Sequence, residues 1–243
     1  MPAIAILGST GTIGSSLARR LTQQGHSLIL VGRNQEKLDV LSTELSQPAL
    51  NFDITDSVQF EAILRSALES HGHLRGIVNC IGSLLLKPAH TTSDADFRKV
   101  VETNLFTAFV AVKAGANLMR DQGGSIVLFA SAAAEIGIAN HEAIAAAKAG
   151  VIGLARSAAA TYATQNIRVN VISPGLIKTE LTRSLWENPT MANASAGRHA
   201  LGRLGEPEQV ASLAAWLLDD ENNWITGQVI GVDGGLGHVL PRR

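Results

Sequence analysis

The amino-acid sequence predicts a single α/β domain, residues 1–243, in which helices cover both faces of a parallel β-sheet. Short apolar segments alternate with longer segments of helical periodicity along the chain. The apolar segments lack the polar alternation of a strand with one solvated face, which is typical of parallel strands buried on both sides. No linker rich in proline or serine divides the chain. Together these observations indicate one continuous sheet.

In the first half of the chain, strands and helices alternate strictly. Strands are predicted at 3–7, 27–31, 49–53 and 76–80, and helices at 12–25, 34–47 and 56–72. Gly25 is expected to end the first helix because glycine favours the C-terminal cap. Pro48 should end the second helix because proline cannot continue one. Asp56 precedes the third helix as an N-cap.

The second half continues the alternation, with one exception. Strands are predicted at 125–130, 167–173 and 228–232, and helices at 94–124, 141–164 and 206–219, the last with Pro207 in its first turn. The exception is the segment at about 176–205, which has weak periodicity and no clear element. Long loops in compact domains are usually functional, so this insertion is expected to shape a substrate site.

Composition and charge argue against several classes of function. The formal net charge is −1 and no basic cluster occurs, which disfavours a nucleic-acid partner. Cys80 is the only cysteine, so no intrachain disulfide can form and a reducing compartment is expected. No basic leader is visible, and no uninterrupted apolar run reaches the roughly 18 residues that span a bilayer. His71 and His73 flank a glycine without a third ligand nearby, so no metal site is expected. We expect a cytoplasmic protein without a membrane partner.

A glycine-rich turn, GSTGTIG, lies between the first predicted strand and the first predicted helix. Backbone N–H groups at a helix N-terminus can hold a pyrophosphate. Gly8 would allow the tight turn, Gly11 the close approach of backbone to ligand, and Gly14 the close packing of helix on strand. The predicted dinucleotide site consists of Gly8, Ser9, Thr10, Gly11, Ile13 and Gly14.

The residue after the second strand bears on the choice of cofactor. An acidic side chain there would bind the ribose 2′-hydroxyl of NAD, but the sequence reads VGRN, with Arg33 and no carboxylate. An arginine suits a 2′-phosphate, so NADP(H) is favoured over NAD(H). The alternative is that Arg33 is a solvated surface residue.

Nearly the whole chain resembles the short-chain dehydrogenase/reductase family. The matching segments are GSTGTIG (8–14), NFDITD (51–56), NCIG (79–82), Asn104, Ser131, Lys148, NVISPGLIKTEL (170–181) and GQVIGVDGG (227–235). The resemblance implies a doubly wound (Rossmann), mostly seven-stranded parallel sheet and a homodimer or homotetramer. Helices 94–121 and 141–164 are the expected subunit contacts, the latter because alanine and glycine let another helix approach closely.

The resemblance also implies roles for individual residues. Those expected at the cofactor are Asp53 and Ile54 beside the adenine, Asn79 and Gly82 under the ribose, Lys148 on the nicotinamide ribose, Pro174 and Gly175 beside the nicotinamide, and Ile177 and Thr179 at its carboxamide. Asn104 would support a water chain to the lysine, and Ser131 would hydrogen-bond the oxygen of a small-molecule substrate.

Two positions depart from the family pattern. Thr12 stands where the family's middle glycine is usual, so Gly11 would supply the close approach instead. More consequentially, the family places a proton-donating tyrosine four residues before the lysine, and this chain has Ile144 there. The only tyrosine, Tyr162, lies fourteen residues beyond Lys148, about 21 Å along a helix at about 1.5 Å per residue.

His141 is the nearest candidate for the missing proton donor. It lies seven residues before Lys148, within about 20° of two whole helical turns. Some enoyl-thioester reductases of the wider family carry their tyrosine at this spacing, and imidazole exchanges protons near neutral pH. The alternative is a polar residue at the start of a helix with no catalytic role.

The resulting hypothesis is an NADP(H)-dependent oxidoreductase acting on a carbonyl, an alcohol or an enoyl substrate. A protein that binds NADP(H) without redox turnover, as a sensor or inactive oligomer partner, is the alternative. Trp186, Met191 and His199 are expected either to line the substrate pocket or to pack the insertion. Cys80 is expected to be a small buried residue because no motif activates it.

Overall fold

A computed structural model describes residues 2–239. Its seven parallel strands form one sheet in the order β3-β2-β1-β4-β5-β6-β7. The order reverses between β1 and β4, which are hydrogen-bonded neighbours. In sheets of this kind, ligands bind at the carboxyl ends of the strands where the order reverses. The predicted doubly wound fold is confirmed.

The strands and helices lie close to their predicted positions. The strands are β1 (Ala3–Leu7), β2 (Ser27–Gly32), β3 (Ala49–Asn51), β4 (Leu74–Asn79), β5 (Gly124–Phe129), β6 (Ile167–Pro174) and β7 (Val229–Val232). The helices are α1 (Thr12–Gln23), α2 (Gln35–Leu45), α3 (Ser57–Leu68), α4 (Asp94–Val101), α5 (Thr107–Leu118), α6 (Glu142–Tyr162), α7 (Arg183–Trp186), α8 (Pro189–Ala196) and α9 (Pro207–Leu218). The side chain of Asp56 caps α3, and Pro207 opens α9, as predicted.

Helices cover both faces of the sheet, and each face has its own apolar core. One core joins the sheet to α3, α5 and α6, and the other joins it to α1, α2 and α9. Both are built largely from Ala, Val, Ile and Leu, so small side chains allow close packing. Helix α6 and the turn after it are long and apolar enough to cross a membrane, but the helix packs on the sheet through residues such as Val151 and Ala155.

Two segments differ from the sequence prediction. The helix predicted at 94–124 is interrupted by a π-helical turn, Glu102–Phe106, that separates α4 from α5. The segment 176–205, predicted without a clear element, contains the short helices α7 and α8. Its two ends are tied together by a bridge between Ile177 and Gly205. Few of its side chains are buried, so it lacks the periodic pattern from which helices are predicted.

Candidate active site

The glycine-rich turn connects β1 to α1 at the point where the strand order reverses. Gly8 has φ +75°, a conformation that favours glycine. A Cβ on Gly14 would overlap the carbonyl oxygen of Gly8, so only glycine lets α1 begin this close to β1. Ser9 is buried, and its hydroxyl donates to the Val31 carbonyl at 3.2 Å. The turn therefore presents backbone at the start of α1.

Lys148 and Asn104 meet beside Gly82, at the carboxyl end of β4. A Cβ on Gly82 would lie 3.3 Å from Asn104 Oδ1 and 3.7 Å from Lys148 Nζ. Asn104, in the π-helical turn, donates from Nδ2 to the Val100 carbonyl at 2.9 Å, and its Oδ1 accepts from the Ser83 N–H at 3.1 Å. The π-helical turn thus fixes the amide of Asn104 next to the ammonium group.

Lys148 is an unusually buried cation. It is 7% exposed, and Nζ donates to the Phe129 carbonyl at 2.9 Å. Burial lowers its pKa from 10.5 to about 8, because no carboxylate offsets the loss of water. The neighbouring thiol of Cys80 has its pKa raised to about 12 by burial, although the charge of Lys148 opposes this. Cys80 lines the cleft and is unsuited to act as a nucleophile.

Ser131 follows β5 and lines the cleft. It begins a short 3₁₀ turn, Ala132–Ala134, in which its Oγ accepts from the Ala133 N–H at 3.2 Å. Because that contact uses the oxygen as acceptor, the hydroxyl hydrogen can still be donated to a ligand in the cleft.

Ile144 and His141 occupy the cleft on the N-terminal side of Lys148. Ile144 is 3% exposed, lines the cleft and packs with Val100 and Ala147. His141 precedes the first residue of α6 and also lines the cleft, so it reaches it from the N-cap position and not from a helical face. Its Nδ1 lies 2.7 Å from the Ala139 carbonyl, which orients the ring and leaves Nε2 free.

These groups surround one cavity of about 1070 Å³. Twelve of the residues predicted from the sequence line it: Gly11, Ile13, Gly14, Gly82, Asn104, Ser131, His141, Lys148, Pro174, Gly175, Ile177 and Thr179. The others lie outside the lining: Gly8, Ser9, Thr10, Arg33, Asp53, Ile54 and Asn79. Of these, Asn79 is buried and donates to Thr107 Oγ1 at 3.1 Å.

Arg33 and Asp53 lie together outside the cavity lining, after β2 and β3. Their Nη1 and Oδ2 atoms are 3.5 Å apart, and both side chains are exposed. Burial alone would raise the pKa of Asp53, but hydrogen bonds from Thr55 and the charge of Arg33 outweigh it and lower the pKa. Ile54 is buried beside them.

The segment 176–205 forms the remaining wall. Met191 lines the cavity, whereas Trp186 donates from Nε1 to the Thr179 carbonyl at 2.9 Å and packs the segment. His199 is 3% exposed and fully hydrogen-bonded: Nδ1 lies 2.7 Å from the Ser195 carbonyl, and Nε2 accepts from the Leu176 N–H at 3.1 Å. Of the three candidates, only Met191 faces the cavity.

Thr12 and Arg198 are among the side chains at the cavity that were not identified as site residues from the sequence. Thr12 Oγ1 accepts from the Glu180 N–H at 3.1 Å and so joins the glycine turn to the segment 176–205. The signal in the sequence was that this threonine stands where the family usually has a glycine. Arg198 also lines the cavity, but an isolated exposed arginine leaves no pattern in the sequence.

Comparisons with known proteins agree with this geometry. A family model described as enoyl-(acyl carrier protein) reductase matches residues 8–237. A 3-oxoacyl-[acyl-carrier-protein] reductase of Mus musculus is 35% identical over 238 residues, which cover 96% of each protein.

Solved structures agree as well. A short-chain type dehydrogenase/reductase from Mycobacterium ulcerans superposes with TM-score 0.93 at 32% identity, covering 97% of this chain and 90% of that one. Two structures of ElxO, one with NADP bound and one of a tyrosine-to-phenylalanine variant with NADPH bound, each give TM-score 0.90 at 27% identity. Each match covers 97% of this chain and 98% of the ElxO chain. Because these matches span nearly the whole chain, the protein belongs to the short-chain dehydrogenase/reductase family.

Proposed function

We propose that the protein is an NADP(H)-dependent oxidoreductase acting on a small-molecule carbonyl, alcohol or enoyl substrate. The observation that supports this best is the convergence of the glycine turn, Asn104, Ser131 and Lys148 on one cavity at the switch point of the sheet. The NADP-bound relative ElxO supports the choice of cofactor. When bound, the nicotinamide would supply or accept the hydride.

The residues present fit such a cofactor. The glycine turn is a cradle that a Cβ on Gly14 would fill, and free backbone N–H groups at the start of α1 can bind a pyrophosphate. Lys148 would bind the hydroxyls of the nicotinamide ribose, a role that needs no tyrosine. Pro174, Gly175, Ile177 and Thr179 would border the nicotinamide ring.

At the adenine end, Arg33 would bind the 2′-phosphate. This guanidinium is paired only loosely with the exposed Asp53, and a charge-assisted contact with phosphate is stronger than an exposed ion pair. Asp53 and Ile54 would lie beside the adenine.

Ser131 and His141 would handle the substrate oxygen and its proton. The hydroxyl hydrogen of Ser131 is available to orient a carbonyl oxygen. Protonated His141 would donate the proton on Nε2, while Nδ1–H, held by the Ala139 carbonyl, fixes the ring and remains after the transfer. Asn104 and Lys148 would connect the site to water. The isoleucine at 144 gives this part of the site no exchangeable proton of its own.

The experiment measures NADPH consumption with ketones, aldehydes and enoyl thioesters. We expect turnover in at least one class, and a loss of about 10²-fold in kcat for Ser131→Ala and for His141→Ala, with NADPH affinity unchanged. His71→Ala is the matched control, because His71 lies outside the cavity.

The same experiment separates the alternatives. Turnover that persists in His141→Ala but disappears in Ser131→Ala would reject the histidine as donor and retain the enzyme. Tight NADPH binding without turnover in any class would instead support a cofactor-binding sensor or inactive partner, the reading that the isoleucine at 144 favours.

We also propose a cytoplasmic homodimer or homotetramer assembled through α4, α5 and α6. Phe97, Phe106 and Phe109 are exposed on the first two helices and their intervening turn, and Gly153 on α6 has open space around it. Gly150, by contrast, approaches Leu105 of the same chain. Light scattering of Phe109→Lys against the unmodified protein tests the contact.

A further inference from the structure

The wall of the cavity on the substrate side is mainly apolar and carries one cation. Its apolar residues include Leu84, Leu86, Ile138, Leu185, Met191 and Leu236. The cation is Arg198, just beyond the C-terminal end of α8. Binding sites of this type are mainly apolar and use a few polar groups for specificity. The charge of Arg198 therefore indicates which kind of polar group a ligand places there.

The other ionisable groups facing the cavity already have partners or roles. Lys148 donates to the Phe129 carbonyl beneath the proposed cofactor site. The carboxylate of Glu180 is paired with Arg183 at 2.9 Å. The ring of His141 is held by the Ala139 carbonyl. Between residues 2 and 239, the guanidinium of Arg198 has neither an ion pair nor a hydrogen bond, so its five donors are available to a ligand.

The backbone that carries Arg198 is held in place by its neighbour. His199 is buried, and both of its ring nitrogens are hydrogen-bonded, one of them by the N–H of Leu176. A Cβ on Gly175 would lie 2.6 Å from His199 Nε2, so this ring packs directly on the turn that follows β6. The main chain at Arg198 is therefore fixed at the wall of the cavity, and the exposed side chain extends from this fixed point.

We infer that the substrate has an apolar body bearing one anionic group, a carboxylate or a phosphate, and that Arg198 binds this group. The inference rests on the proposed function for the reacting part of the substrate, but the anion site itself does not depend on turnover. A planar guanidinium binds either anion through two parallel hydrogen bonds.

Calorimetry with three eight-carbon probes tests the site: octanoate, octyl phosphate and 1-octanol, each with and without NADPH. We expect at least one anionic probe to bind about 10-fold more tightly than octanol. Arg198→Gln should abolish that preference and Arg198→Lys should retain part of it. Arg203→Gln is the matched control, because Arg203 is exposed nearby but contacts Leu204 and Gln209 and not the cavity.

Each outcome is decisive. A preference for octanoate alone assigns a carboxylate, and one for octyl phosphate alone assigns a phosphate. Equal binding of all three probes, or a preference that survives Arg198→Gln, would overturn the inference. So would a tenfold loss of NADPH affinity in Arg198→Gln, since the guanidinium would then bind the cofactor. Absence of turnover with an intact anion preference would reject the proposed function only.

Discussion

The two sides of the cavity are built in different ways. On the cofactor side, the glycine turn, Asn104 and Lys148 are held by backbone geometry and by hydrogen bonds to main-chain atoms. On the substrate side, exposed and apolar side chains lie on the segment 176–205, whose short helices bury little. The first arrangement tolerates few substitutions, whereas the second can change its chemistry one side chain at a time.

Ile144 lies at the boundary between these two sides, one helical turn before Lys148. The chain keeps the lysine of the family pattern. An apolar isoleucine stands where the family has the tyrosine that exchanges a proton with the substrate. We therefore expect cofactor binding and proton transfer to be separable in this chain. The four substitutions below test that separation from the largest expected effect to the smallest.

Ile144→Tyr should restore a proton donor beside an otherwise intact site. We expect ketone reduction to rise by about 10²-fold in kcat, within the usual range for an acid–base group. Ile144→Phe adds similar bulk without a hydroxyl and is the control. Equal rates for the two variants, measured with NADPH and a ketone panel, would show that the site lacks something besides the tyrosine.

Gly14→Ala should damage the cofactor side. The new Cβ would overlap the Gly8 carbonyl, and relieving the overlap must shift the glycine turn. Overpacking of this kind costs about 1–3 kcal/mol, so NADPH affinity should fall by up to about 100-fold and Tm should decrease. Gly137→Ala, at a position with open space, should leave both quantities unchanged. Unaltered NADPH affinity in Gly14→Ala would contradict a cofactor site at this turn.

Lys148→Met should remove a pH dependence of stability together with a cofactor contact. Because burial lowers the pKa of Lys148 to about 8, the unfolded chain binds more protons than the folded chain above that pH. The free energy of unfolding should therefore rise with pH through this group, by about 1 kcal/mol between pH 7 and 9.

Denaturant titrations at both pH values measure this contribution as the difference between the unmodified protein and Lys148→Met. The thiol of Cys80 begins to act in the opposite direction near pH 9, but it is present in both proteins. The variant should be no less stable than the unmodified protein at pH 7 and should bind NADPH about 10-fold more weakly. An identical pH dependence in the two proteins would contradict the lowered pKa.

Arg33→Gln should change only the cofactor preference, with a loss of about 10-fold in the preference for NADPH over NADH. Fluorescence titration with both cofactors measures it. Arg19→Gln, which breaks an exposed ion pair between Arg19 on α1 and Glu44 on α2, is the control. A preference that does not change would identify Arg33 as a solvated surface residue.

The contrast between the two sides of the cavity also explains what could be predicted from the sequence. The strands were predicted to within a few residues because each is a short apolar segment flanked by turn residues. The π-helical turn was not, because Glu102–Phe106 continues the helical periodicity, and the side chain of Asn104 within it bonds to Ser83, far away in the sequence.

The helices α7 and α8 were missed because they bury too few side chains to create periodicity. The position of His141 shows a different limit. The helical spacing to Lys148 suggested a shared face, but His141 lies at the N-cap and reaches the cavity only because the preceding loop places it there. Arg198 could not be found from the sequence because its significance depends on the absence of a partner in three dimensions.

A single hydrogen bond, from the Glu180 N–H to Thr12 Oγ1, joins the two sides. A movement of Glu180 away from the glycine turn would break this bond and free the hydroxyl group of the threonine at the start of the first helix. A glycine at position 12, which carries no hydroxyl group, could not connect the glycine turn to the segment 176–205 in this way.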